Sequence, residues 1–265
     1  MNVFKGIMIA TITAFSFMFA GCDEVEELLG IEKDQWNHLV NEKEYETILE
    51  GNTLKYGTHE YSVEGVIDKE IMAGRFDDPT AYVSFSNIPS GYKEFSAVYN
   101  GLLGKSAHGV AAMIPMAMEI YARDNATGER CLRLLCHGET SANEVISVLK
   151  ERFKTNEYGG ENDSYVQRYI PAALLRGATP QNAYRPEEPY SVDMCASVNS
   201  PKESSLGVVY YIYILCKGWS TGGFVYAQRQ VEILKPTGSG VYKVFSCPST
   251  YVQCQQIVGT WRGLK

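Results

Sequence analysis

The chain has 265 residues, with 24 Lys and Arg against 31 Asp and Glu and a formal net charge of −7, a balance that excludes a basic nucleic-acid footprint. With 45% hydrophobic and 12% aromatic residues it is too apolar for a disordered polymer, and its length suits one large domain or two small ones. No residue pattern identifies a reaction; what the sequence addresses is location and attachment.

Met1 to Cys22 carry the three parts of an export signal: a positive charge at Lys5, an apolar run from Ile7 to Phe19, and the small pair Ala20-Gly21 before Cys22. The run is shorter than the ~18 to 20 residues that cross a bilayer, which argues against a retained transmembrane helix. Phe19-Ala20-Gly21-Cys22 resembles the lipobox of bacterial lipoproteins, with Phe19 where Leu is usual. The resemblance implies cleavage before Cys22, diacylglycerol on its thiol and acylation of its amine. Residues 1–21 are then a lipoprotein signal peptide and 22–30 an acidic tether. Asp23-Glu24-Val25-Glu26-Glu27 reads as a solvated charge run, and it also resembles the surface-export signals of Bacteroidetes lipoproteins. The expected location is the outer membrane, lipid-anchored and facing periplasm or cell surface. An acidic body is repelled by anionic headgroups, so acyl chains supply the membrane affinity.

The remainder, 31–265, is expected to be a single domain, with no internal repeat and no low-complexity block. Trp36, Leu39, Val40, Tyr45 and Ile48 suit one or two short helices between Ile31 and Glu50; Tyr61, Val63 and Ile67 suit a strand, as do Ala81 to Phe85. A helical part follows over 88–176. Ser90 is placed to cap a helix carrying Tyr92, Phe95, Tyr99, Leu102 and Leu103, and Gly101 or Gly104 to end it. Ala107 to Tyr121 is apolar nearly all round, the mark of a buried central helix, bent by Pro115. Cys131 to Cys136 reads as a strand, and a third helix starts at Ser141 with Glu144 at the capping-box spacing. A sheet part follows over 187–260: Tyr190 to Ala196, a central strand from Leu206 to Cys216, Phe224 to Leu234, Val241 to Cys247 and Tyr251 to Ile257. Helices first and strands later predict an α+β fold, the helices packed on one face of a C-terminal antiparallel sheet of four to five strands.

Motifs that carry chemistry elsewhere fail on context here. Gly101-Leu102-Leu103-Gly104-Lys105-Ser106 has the wrong glycine spacing for a P-loop and lies between helices. Gly218-Trp219-Ser220-Thr221-Gly222 matches the nucleophile elbow, but strand-like residues flank it and all four histidines, His38, His59, His108 and His137, precede Ser220. Cys136-His137 combines thiol and imidazole without any metal-ligand spacing around it. No catalytic residue, metal or cofactor is assigned. Of the six cysteines beyond Cys22, Cys247 and Cys254, flanking a Pro-Ser-Thr turn, are the candidate disulfide pair.

The most distinctive stretch is Gly177-Ala178-Thr179-Pro180-Gln181-Asn182-Ala183-Tyr184-Arg185-Pro186-Glu187-Glu188-Pro189-Tyr190. Three prolines favour extended backbone, and Asn182 can fold its amide onto nearby peptide groups. The stretch resembles the G-A-x-P-E-N-x-Y-x-P-x-x-P-Y signature of a functionally uncharacterised family of bacterial, often exported, proteins, with Gln181 in place of Glu. The similarity runs from about Ile88 to Ile257, departing at the hairpin Lys217 to Gly223. It implies a fold class and an exported context, and no reaction.

The expectation is therefore a lipid-anchored extracytoplasmic module that binds glycan or peptide; a polymer-degrading hydrolase and a structural subunit of an outer-membrane complex are the alternatives. Candidate ligand contacts are Asn182, Tyr184 and Tyr190 in the loop and Trp219 on the hairpin. Tyr184 and Tyr190 have a second reading, as pins that fasten the loop to the core.

Overall fold

Turn chemistry starts the sheet. Gly51, at φ +60°, and Asn52 join β1 (Thr47–Glu50) to β2 (Thr53–Tyr56), with Thr47 opposite Tyr56 and Glu50 opposite Thr53. The computed structural model describes residues 42, 44–67, 79–153, 167–197, 200–217, 227–252 and 254–265. The expected signal peptide (1–21), Cys22, the expected tether (22–30), Trp219 and the Gly218–Gly222 motif lie outside the described residues. Lys43–Lys265 form one compact unit.

From β2 the chain continues into β3 (His59–Gly65) and β4 (Ala81–Phe85), then passes through the helices to β5 (Tyr190–Ala196), β6 (Lys202–Ser204), β7 (Gly207–Cys216), β8 (Ala227–Pro236) and β9 (Lys243–Ser246). All pair antiparallel in the order β1-β2-β3-β4-β5-β7-β8-β9, with β6 beside the first half of β7. The sheet has nine strands, not four to five, because the N-terminal hairpins join it through β4 and β5, with Val83 opposite Val192. Strand pairing also replaces the helix expected at Thr47–Glu50.

The helices are α1 (Tyr92–Gly101), α2 (Ala107–Arg123), α3 (Asn125–Leu135), α4 (Gly138–Arg152) and the short α5 (Ile170–Ala173). α2 crosses β4, β7, β8 and β9, and α1 packs on β1 and β2. Alternate residues Val83, Phe85, Val192, Met194, Ile212, Ile214, Val231 and Ile233 meet them in one core. α2 is buried from Gly109 through Tyr121, as its apolar composition demands, and contains Pro115. Asp124 ends it and caps α3, accepting from the Ala126 and Thr127 amides at 3.1 and 3.3 Å. α2 and α3 touch at Gly128, where an added Cβ would lie 2.1 Å from the Tyr121 Cα.

Several local expectations are corrected. Cys131 lies in α3, because Thr127, Cys131, Leu132 and Leu135 recur at helical spacing on the buried face. Gly91, not Ser90, precedes α1, and the Ser90 amide and hydroxyl both donate to Glu94. α4 begins at Gly138, three residues before Ser141. Tyr251 to Ile257 is not a strand: the Gln167 side chain takes the place of a ladder partner, accepting from the Cys254 amide and donating to its carbonyl, both at 2.8 Å.

β5 is buried at all seven positions, including Ser191 and Asp193. Arg176 grips the Asp193 carboxylate with Nε at 2.9 and 3.0 Å and Nη2 at 2.5 Å, compensating the buried charge. A fragment starting at Ile88 retains every helix and loses the strand that covers one edge of β5. We expect it to aggregate or to lack a cooperative unfolding transition; a monomeric fragment with a sharp thermal transition in circular dichroism contradicts this.

Candidate functional site

The Gly177–Tyr190 loop is organised by one side chain. Asn182 Oδ1 accepts from the Thr179 and Arg185 amides at 2.9 and 3.1 Å, and its Nδ2 donates to the Gly177 and Arg185 carbonyls at 2.8 and 3.0 Å. Two donors and two acceptor sites are the whole capacity of a carboxamide, so no group of Asn182 is left for a ligand. Thr179 Oγ1 completes a capping box by accepting from the Asn182 amide at 3.2 Å. The chain then turns left-handed at Ala183 and Tyr184, at φ 54° and 52°.

That turn drives Tyr184 inward. Its ring is fully buried and stacks on Tyr169 at 5.0 Å, and its hydroxyl donates to the Gln255 carbonyl at 2.7 Å. Tyr190 is buried edge-on to Phe85 at 5.6 Å, and its hydroxyl accepts from the Lys265 amide at 2.8 Å. The Pro180 carbonyl accepts from the Val258 amide at 2.8 Å, and Glu188 pairs with Lys265 Nζ at 2.8 Å. The loop is thus a clasp on an extended strap, residues 254–265. Of the loop residues expected to touch ligand, Asn182, Tyr184 and Tyr190 are placed as fasteners of loop and strap, and no ring among them is presented to solvent.

The described cysteines are buried. Cys247 and Cys254 are not joined: Cys247 is the N-cap residue of the 3₁₀ turn Pro248–Thr250, its backbone carbonyl accepting from Thr250 Oγ1 at 2.7 Å, while the Cys254 backbone is held by Gln167. Burial pushes the Cys136, Cys195, Cys216 and Cys254 thiols up to about 12, which suppresses the nucleophilic thiolate. His137 follows Cys136 at the start of α4, and its amide donates to the Val244 carbonyl at 2.7 Å. Among the described residues no group of three or more His, Cys, Asp and Glu is placed to hold a metal ion. Gly101–Ser106 is a helix-to-helix turn, with Ser106 Oγ accepting from the Gly109 amide at 3.1 Å as the cap of α2. Antiparallel β7 and β8 lie on either side of the Gly218–Gly222 motif, whereas a nucleophile elbow needs a strand feeding a helix.

Two arrangements were not visible in the sequence. Glu94, 2% exposed on α1, accepts from Tyr61 Oη at 2.7 Å and pairs with His59 Nδ1 at 2.7 Å, and its other oxygen accepts from the Ser90 amide and hydroxyl at 2.7 and 2.8 Å. Burial, followed by the Glu94 charge, pushes the Tyr61 phenol well above its ordinary value. This is a carboxylate–imidazole pair, and it ties the β2–β3 hairpin to α1. The second is the β1 edge. All four of its residues are exposed, with Ile48 at 46% and Leu49 at 50%, and Tyr45 just before them is also exposed. Gly51-Asn52 between two β-prone runs was the available hairpin signal.

Helices layered on one face of a mixed-length antiparallel sheet, with a proline-rich loop clasping a C-terminal strap, make this an α+β domain protein. Residues 87–258 match the family described as a domain of unknown function (DUF6935), and the chain belongs to that family. No curated protein and no solved structure matches the chain. The matched span starts just after β4, so the hairpins bearing the Glu94 partners and the exposed edge precede it within the same sheet.

Asn182→Ala removes four hydrogen bonds from the loop and is expected to cost about 2 kcal/mol in chemical denaturation, against about 1 kcal/mol for Tyr184→Phe, which removes one. A cost within error of zero for Asn182→Ala contradicts the clasp. His108 supplies a pH test. Its Nε2 is buried without a partner, and burial lowers the imidazole from 6.5 to about 4. The unfolded chain takes up the proton first, so stability falls as pH drops through the window between those values. His108→Phe is expected to remove about 2 kcal/mol of the stability lost between about pH 7 and pH 5. Equal losses in parent and variant count against it.

Proposed function

We propose that the protein is a lipid-anchored extracytoplasmic interaction module whose ligand is a polypeptide. The anchor rests on the resemblance of Phe19-Ala20-Gly21-Cys22 to a lipobox, with Cys22 as the acylated residue and the outer membrane as its location. No helix among the described residues is long and apolar enough to cross a membrane. The observation that carries the interaction role is the β1 edge, where exposed Tyr45, Ile48 and Leu49 fall within five residues at an end of the sheet. Glycan recognition has less support, because the loop rings that would stack on a sugar, Tyr184 and Tyr190, are inside the fold.

A hydrolase has one observation in its favour, the Glu94–His59 pair. The neighbouring hydroxyls, Ser90 Oγ and Tyr61 Oη, both donate to Glu94 and not to the imidazole, so among the described residues neither is placed for the imidazole to activate. The interaction reading is therefore preferred.

Two measurements in the native host test it. Cys22→Ala is expected to abolish incorporation of labelled fatty acid, and unchanged labelling excludes Cys22 as the anchor. In mild-detergent extracts of membranes the chain is expected to migrate in a complex larger than itself, and Leu49→Asp to release it as a monomer. Monomeric migration of the parent chain argues against an interaction module.

A further inference from the structure

We infer that β1 is a docking strand for an extended, basic segment of another protein, added antiparallel or parallel to its free edge; the inference deepens the interaction reading and rests on it. The two ends of the strand order are unlike. At β9, Cys136 bridges to Val244 and the His137 amide occupies the Val244 carbonyl, so a helix junction covers that edge. β1 pairs only with β2 among the described residues, which leaves alternate backbone N–H and C=O groups directed outward. Backbone groups of that kind are matched by another strand, because an extended chain repeats donor and acceptor at the same spacing.

The side chains specify what kind of strand. Ile48 and Leu49 are successive and so lie on opposite faces, offering an apolar contact above and below the edge. Of seven large hydrophobic residues exposed among the described residues, Tyr45, Ile48 and Leu49 are the three that cluster. Around them stand exposed Glu44, Glu46 and Glu50, of which Glu50 meets Lys55 at 3.2 Å, a pair that is itself exposed. This acidic border disfavours a second copy of the chain: two β1 strands paired antiparallel about Ile48 set Glu46 against Glu50 twice. It favours Lys or Arg alternating with apolar residues. The short β6, Lys202–Ser204, has no exposed apolar side chain and does not compete as an edge.

The test uses the full mature protein in detergent and a blocked, fluorescent nine-residue peptide of alternating Lys and Val, read by anisotropy. The expected result is saturable binding that weakens at least tenfold when Glu replaces Lys in the peptide, and at least tenfold when alternate peptide nitrogens are methylated. Combined Glu44→Lys, Glu46→Lys and Glu50→Lys is expected to invert the preference, so that the Glu peptide binds and the Lys peptide does not. This gain shows that the variant is folded. Equal binding of both peptides, indifference to N-methylation, or failure of the charge swap to invert the preference overturns the inference. So does a dimer of the parent chain in sedimentation that Leu49→Asp dissolves, since a second copy would then own the edge. A chain that ignores both peptides and yet loses its membrane complex on Leu49→Asp overturns strand addition and leaves the interaction reading standing. A chain that does neither overturns both.

Discussion

A strand with no exposed residue has to be paired on both sides, and β5 imposes that requirement on the rest of the molecule. β7 satisfies one edge and β4 the other, so the N-terminal hairpins are built into the same sheet as the C-terminal strands. Asp193, carried on β5 at 2% exposure and directed away from the face of Val192 and Met194, adds a second requirement, a cation delivered to the side of the sheet opposite the helices. Arg176 delivers it, and its backbone is locked in the process: its amide donates to the Ser191 carbonyl, and its carbonyl accepts from the Glu187 amide. The clasp loop departs from this point and returns to it. Loop, strap and sheet are therefore consequences of one buried carboxylate and one fully covered strand.

This arrangement separates persistence of the fold from recognition. The Gly177–Tyr190 loop spends its Asn182 amide on its own backbone and directs its two tyrosines inward, onto residues 254–265 and the core. Exposed apolar surface collects instead on the hairpin that precedes the matched span of 87–258. A domain whose most distinctive residues serve its own closure is free to vary its contacts at the periphery, provided that β4 still covers β5.

Elements whose signal is local were legible in the sequence. Ala81–Phe85 and Tyr190–Ala196 alternate or run apolar between turn residues, and α2 is buried all round, so period and composition locate them. Cys131-Leu132-Arg133-Leu134-Leu135-Cys136 suits a strand in sequence because a short apolar run has no period of its own; the cap at Asp124 and the close approach at Gly128 decide for helix through Leu135. The Asn182 turn is local and could be read from the residue type, yet the fastening of Tyr184 to Gln255 could not, since these two are 71 residues apart. His59 and Glu94 are 35 residues apart, and only the packing of α1 on the hairpins brings them together. Strand number failed for a related reason: joining β4 to β5 spans the entire helical region, a long-range pairing that no periodicity encodes.

The covering of β9 by the helix junction at Cys136 and His137 has a stoichiometric corollary. A sheet open at both ends can propagate head to tail into a filament, whereas one sealed at its far margin accepts a guest and then stops growing. A sheet of this kind has room for a single added strand at β1 and is a terminus rather than a link in a chain of copies.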